Sequence, residues 1–80
     1  MPKGVFNWSY DDVTAFLKEH KFVFFEEREG SHEAWVCKAT DAVVIINFHG
    51  NKTVFRPKTL ETMIRQSKID KKEWRAWASK

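Results

Sequence analysis

The sequence contains very little of the chemistry that crosslinks a chain or holds a metal. Cys37 is the single cysteine, so it cannot form an internal disulfide, and it has no Cys or His companion at zinc-finger spacing. No spacing of Asp, Glu and His residues indicates a metal site, and we expect no cofactor. A lone cysteine is typical of reducing compartments, and the sequence therefore predicts a cytoplasmic location.

Long apolar runs are also missing. No stretch approaches the roughly 20 apolar residues of a membrane span, and the first residues lack the apolar core of a signal peptide. Only three Gly and two Pro occur, while 42% of the residues are hydrophobic and 15% aromatic. This composition predicts one packed domain over residues 1–80 with an aromatic core. Pro2 and Gly4 favour a loose N-terminal segment over residues 1–8, although Phe6 and Trp8 could dock onto the domain.

Charge is present in both signs but is unevenly distributed. Residues 1–50 contain five Lys or Arg against eight Asp or Glu, and residues 51–80 contain nine against three. The two parts therefore carry net charges of −3 and +6. A basic C-terminal part suggests an anionic partner such as nucleic acid, although solvated lysine-rich helix faces have the same composition.

Helical patterns occur at both ends of the chain. Ser9 and Asp12 have the spacing of a capping box, and the apolar residues that follow predict a helix over Tyr10–Glu19. A second helix begins at Pro57, and a short third helix covers Lys71–Ala78. Trp74 and Trp77 of this last helix are interpreted as docking residues rather than as a base-stacking platform.

Three strands are predicted between the first two helices, over residues 22–28, 32–39 and 42–48. The third is the most apolar run and is expected to be the central or most buried strand. Short connections indicate an antiparallel meander. The predicted fold class is α+β, in the order α-β-β-β-α, with a three-stranded antiparallel sheet, both longer helices on one face and a short C-terminal helix.

The turn between the first two strands presents the best candidate for chemistry. Gly30 and Ser31 form the turn, and His32 is the first residue of the next strand. Histidine can both give and take a proton near neutral pH. On the hairpin alone, an ordinary turn followed by an ordinary polar strand residue is the simpler interpretation.

Several short motifs occur in the same order and at similar spacing in one known family. They are Gly30-Ser31-His32, His49-Gly50, Thr59-Leu60 with Met63-Ile64-Arg65-Gln66, then Ile69 and Glu73-Trp74. The resemblance that these motifs carry covers about residues 13–74. On these motifs the chain resembles the HicA family of bacterial toxins, which have a double-stranded-RNA-binding-domain-like fold.

The resemblance implies an endoribonuclease that cleaves mRNA, a single-stranded RNA, and is held inactive by a cognate HicB-like antitoxin. Because the sequence shows no set of metal ligands, we expect the cleavage to be independent of a metal ion. It implies His32 as the catalytic residue. The chain departs from the family beside this residue, where Glu26, Glu27 and Glu29 surround Arg28 and would repel phosphate. It also departs at Asn47 and Lys58, where the family commonly has proline and glycine.

The chemistry requires a base for the 2′-OH of RNA and cations for the phosphate. His32 is the expected base, and His49 is either a second proton carrier or a turn residue. The candidate RNA-binding cations are Arg28, Lys52, Lys58 and Arg65. The alternative is a non-catalytic RNA-binding or protein-binding domain of the same fold, with a basic C-terminal part that binds phosphates by charge and shape.

Overall fold

The computed structural model describes residues 7–48, 50 and 52–78 of the chain. Its elements are α1 (Tyr10–Glu19), β1 (Val23–Arg28), β2 (His32–Cys37), β3 (Ala42–Asn47), α2 (Pro57–Ser67) and α3 (Lys71–Ala78). This order confirms the predicted α+β fold with its short last helix. The capping box at the start of α1 is also present, since Ser9 accepts from the backbone of Asp12 and the Asp12 side chain accepts from the backbone of Ser9.

The three strands form an antiparallel sheet in the order β1-β2-β3. The expectation that residues 42–48 form the central strand is therefore wrong, because β2 lies in the middle and β3 lies at an edge. Helix α2 covers that edge, and the Gln66 side chain accepts a hydrogen bond from the backbone N–H of Ile45 at 3.0 Å. Because α2 covers this edge, β3 can be an apolar edge strand without exposing an unpaired apolar edge to solvent.

One face of the sheet and the helices enclose the core. Pairing of Trp35 with Val44 and of Cys37 with Ala42 places these four residues on the same face. They join a single buried cluster with Val13, Phe16 and Leu17 of α1 and Leu60, Met63 and Ile64 of α2. Both longer helices therefore pack on one face of the sheet, and the other face remains open in the part of the chain that is described.

Trp8 docks onto the domain, which is one of the two possibilities that the sequence leaves for residues 1–8. Its side chain is fully buried, and its ring lies 5.2 Å from Trp74 and 5.1 Å from Trp77, measured between centroids. Its carbonyl oxygen also accepts a hydrogen bond from the N–H of Phe55. The docking role predicted for Trp74 and Trp77 is confirmed by these contacts, while residues 1–6 lie outside the described part of the chain.

The turn between β2 and β3 lacks glycine but still uses a left-handed residue. Asp41 has φ +58°, a conformation that a short Asp side chain tolerates better than most side chains. This turn lies at the opposite end of the sheet from the Gly30 turn. No helix within the described ranges is long and apolar enough to span a membrane.

Candidate functional site

His32 lies at the start of β2, directly after the predicted turn. Gly30 has φ +74°, and this left-handed conformation is the one that glycine adopts without a steric cost. The Ser31 carbonyl oxygen accepts a hydrogen bond from the N–H of Phe48 at 2.9 Å, which fixes the turn against the end of β3. The His32 side chain is exposed, so it is available to a ligand.

The His32 ring is oriented by a single backbone contact. Its Nδ1 lies 3.1 Å from the carbonyl oxygen of Glu29. Because a carbonyl oxygen can only accept, Nδ1 is the nitrogen that carries the proton. In the neutral ring the lone pair is then on Nε2, and this is the form that a general base requires.

His32 belongs to a row of three residues across the sheet. It pairs with Arg28 of β1 and with Asn47 of β3, and paired residues point to the same face. The row therefore places a base, a cation and an amide together on the open face. Arg28 is partly neutralised there, because its Nε donates to Oε2 of Glu26 at 3.0 Å.

Glu33 follows His32 in the chain but points to the other face of the sheet. Its Oε1 accepts hydrogen bonds from Tyr10 Oη at 2.7 Å and from Trp35 Nε1 at 3.0 Å. Burial, together with the bond to the Glu33 carboxylate, raises the pKa of Tyr10 well above its ordinary value. Glu33 therefore anchors α1 to β2 and does not add to the carboxylates around His32.

A cleft of about 390 Å³ begins beside this row. It is lined by Asn47, Thr53, Val54, Phe55, Arg56 and Thr59. Asn47 is shared by the cleft and the His32 row, so the two form one continuous surface. Among the residues that the structure describes, this lining includes the Arg56 cation and several polar side chains but no carboxylate, a composition that suits a phosphate.

Arg56 is the functional candidate that the sequence analysis missed. It is the N-cap residue of α2, where no side chain caps the helix and no acidic residue occupies the first turn. Pro57 at the start of the helix was the available signal, because the residue before such a proline lies beside the exposed N–H groups of the helix. Local sequence patterns do not predict the path of the segment that brings Arg56 and Asn47 into one cleft.

The other predicted cations do not gather around the His32 row. Lys52 Nζ lies 3.8 Å from Asp11 Oδ2, at the start of α1. Lys58 is in the first turn of α2 near the cleft, whereas Arg65 is in its last turn. The neighbouring Lys68 donates to the Thr40 carbonyl oxygen, which places the end of α2 at the opposite end of the sheet from His32. His49 lies outside the described residues.

Other reactive side chains do not add to this site. Cys37 is buried at the far end of β2, where a hydrogen bond with the Thr40 side chain lowers the pKa of the thiol against the opposing effect of burial. Within residues 7–48, 50 and 52–78, no group of three or more His, Cys, Asp or Glu side chains could hold a metal ion.

Comparisons with family models, with curated proteins and with solved structures find no match to this chain.

Proposed function

We propose that the chain is the toxin of a bacterial toxin–antitoxin pair, an endoribonuclease that cleaves mRNA in the cytoplasm without a metal ion. The observation that carries the proposal is the setting of His32. Its ring is exposed, and its Nδ1 is committed to the Glu29 carbonyl oxygen. Nε2 is thus left as the basic nitrogen on the open face of the sheet.

RNA supplies its own nucleophile for this reaction. His32 Nε2 takes the proton of a 2′-OH, and the 2′-oxygen attacks the adjacent phosphorus while the bond to the 5′-oxygen breaks. The products are a 2′,3′-cyclic phosphate and a 5′-OH. The leaving oxygen takes a proton from water or from a second group, for which His49 remains the sequence-based candidate.

Two arginines support the binding of phosphate beside His32. Arg28 is its neighbour in the row, and Arg56 lies in the cleft beyond Asn47. Arg28 must exchange its bond with Glu26 for a bond to phosphate, and this exchange reduces its contribution to phosphate binding. The other described residues of the cleft include no carboxylate, and we assign Arg56 the larger share of phosphate binding.

A HicB-like antitoxin is the proposed partner. An inhibitor of this chemistry must cover His32, and acidic groups on it would be attracted to the basic C-terminal part of the chain. Association steered by such charges is fast and weakens with added salt. Coexpression with the product of a neighbouring gene, followed by purification, tests whether such a partner exists.

The second candidate is a non-catalytic RNA-binding or protein-binding domain of the same fold. The bond between Arg28 and Glu26 favours it, because a row whose cation is already paired attracts phosphate less strongly. Basic groups elsewhere would then bind a partner without cleavage.

The products formed from a defined RNA distinguish the two candidates. Purified protein is incubated with a single-stranded RNA in EDTA, and the ends of the fragments are identified by mass spectrometry. The nuclease proposal requires 2′,3′-cyclic phosphate and 5′-OH ends. RNA that is bound but stays intact would support the binding domain, and 3′-OH ends would point to a different chemistry.

A further inference from the structure

Strand β1 leaves an apolar edge exposed. Val23, Phe24 and Phe25 have 55, 50 and 61% of their surface accessible. On its outer side β1 pairs with no other strand among the described residues, since β2 is its one neighbour in the sheet. Adjacent exposed aromatic residues on an unpaired strand edge are typical of a surface that pairs with another strand.

The charges around this edge are arranged with opposite signs at its two ends. Lys18 and Lys21 precede β1, and Lys18 Nζ lies 5.8 Å from the centre of the Trp35 ring. Glu26, Glu27 and Glu29 lie at the other end of the strand together with Arg28, which pairs with Glu26, so this end remains net negative. A parallel copy of this edge would place like charges together, whereas an antiparallel copy brings each lysine end beside the glutamates of its partner.

We propose that β1 pairs antiparallel with β1 of a second copy of this chain, forming a two-fold symmetric dimer with one continuous six-stranded sheet. The pairing covers Val23, Phe24 and Phe25 on both copies and sets Lys21 of each beside Glu27 of the other. Such an interface is isologous, because the same patch serves both chains.

The assembly closes at two copies. The edge of β3 is covered by α2, and Gln66 accepts a hydrogen bond from the Ile45 N–H. Phe25 has no pairing partner in β2, since the register shifts between Phe24 and Glu26. This bulge bends β1 and limits the length over which it can pair. A short interface of this kind is expected to be weak and dependent on protein concentration.

Sedimentation velocity of the full chain across a concentration series tests the proposal. We expect a monomer–dimer equilibrium whose association weakens with added salt. Phe25→Lys should weaken association by about tenfold or more, because it replaces a central apolar contact in both copies by like charges. Val54→Lys is the matched control, since Val54 is 49% exposed and forms a bridge with Ser9 outside the sheet, and it should leave association unchanged.

Exchange of charges tests the antiparallel arrangement independently of how Phe25→Lys folds. Lys21→Glu and Glu27→Lys should each weaken the dimer severalfold, and the double variant should recover wild-type association. A monomer at all protein concentrations up to about 1 mM would overturn the proposal. So would equal weakening by Val54→Lys, or a double variant that associates less than either single variant. None of these outcomes depends on RNA cleavage.

Discussion

Tyr10 Oη donates a 2.7 Å hydrogen bond to Oε1 of Glu33, and this contact joins the first turn of α1 to the strand that carries His32. Glu33 also accepts from Trp35 Nε1, so one carboxylate connects a helix, a strand and the core. The side chain next to His32 is thereby held on the opposite face of the sheet. The contact has a measurable consequence, because Tyr10 is the single tyrosine of the chain.

Ultraviolet titration of the tyrosine should give a midpoint well above the ordinary value of about 10. Burial and the bond to Glu33 raise the pKa of Tyr10 in the folded protein. The folded state therefore holds this proton more tightly than the unfolded state, and the associated stability is present below about pH 10 and is lost as the pH rises further. Glu33→Gln should lower the midpoint. A folded wild type that titrates near pH 10 would contradict the contact.

Gly30→Ala should lower the free energy of unfolding by about 1 kcal/mol. The cost comes from φ +74° at this position, since an added Cβ would meet Nδ1 of His32 at the ordinary contact distance of 3.8 Å. Ser31→Ala, in the same exposed turn, is the control and should change stability by less than about 0.5 kcal/mol. Urea denaturation measures both variants. Equal stability of the two would mean that the turn does not require a left-handed residue.

Trp74→Ala should cost about 3–5 kcal/mol and bring the small domain close to unfolding. Trp74 is fully buried, and its Nε1 has no hydrogen-bond partner among the described residues, so its stabilising effect comes from packing against Trp8 and Phe16. Trp77→Ala should cost less, because this side chain is only partly buried. Thermal unfolding followed by circular dichroism compares them, and the reverse order would contradict the packing described.

Arg56→Ala should weaken the binding of single-stranded RNA more than Arg65→Ala does. Arg56 lines the cleft beside Asn47, whereas Arg65 lies roughly 13 Å further along α2 at 1.5 Å per residue. Removing one phosphate contact should also reduce the slope of log K against log salt by about one. Fluorescence anisotropy at several salt concentrations measures both effects. A larger loss for Arg65→Ala would place the RNA along the whole of α2.

Local patterns predicted the elements whose causes are local. The bounds of α1 and α3 agree with the sequence analysis because a capping side chain and a helical stripe define each of them within a few residues. The position of His32 after Gly30 and Ser31 was also predictable, because a short turn determines which residue begins the next strand.

The features that were missed depend on contacts between distant segments. The middle position of β2 could not be predicted from hydrophobicity, because α2 covers the edge of β3 and makes that strand look like a central one. The burial of Trp8 depends on α3 at the other end of the chain. Arg56 gained significance only when the fold placed it in the same cleft as Asn47, which pairs with His32.

The most direct test of the proposed function is the rate of RNA cleavage by the wild type and by His32→Ala, each with EDTA. The exposed ring of His32 contributes little to packing, so the variant should fold and bind RNA normally while cleavage falls by about 10²- to 10⁴-fold. Asn47→Ala, in the same row, is the control variant and should retain most of the cleavage activity. Equal cleavage by wild type and His32→Ala would reject His32 as the base, and a wild type that binds RNA without cleaving it would reject the nuclease.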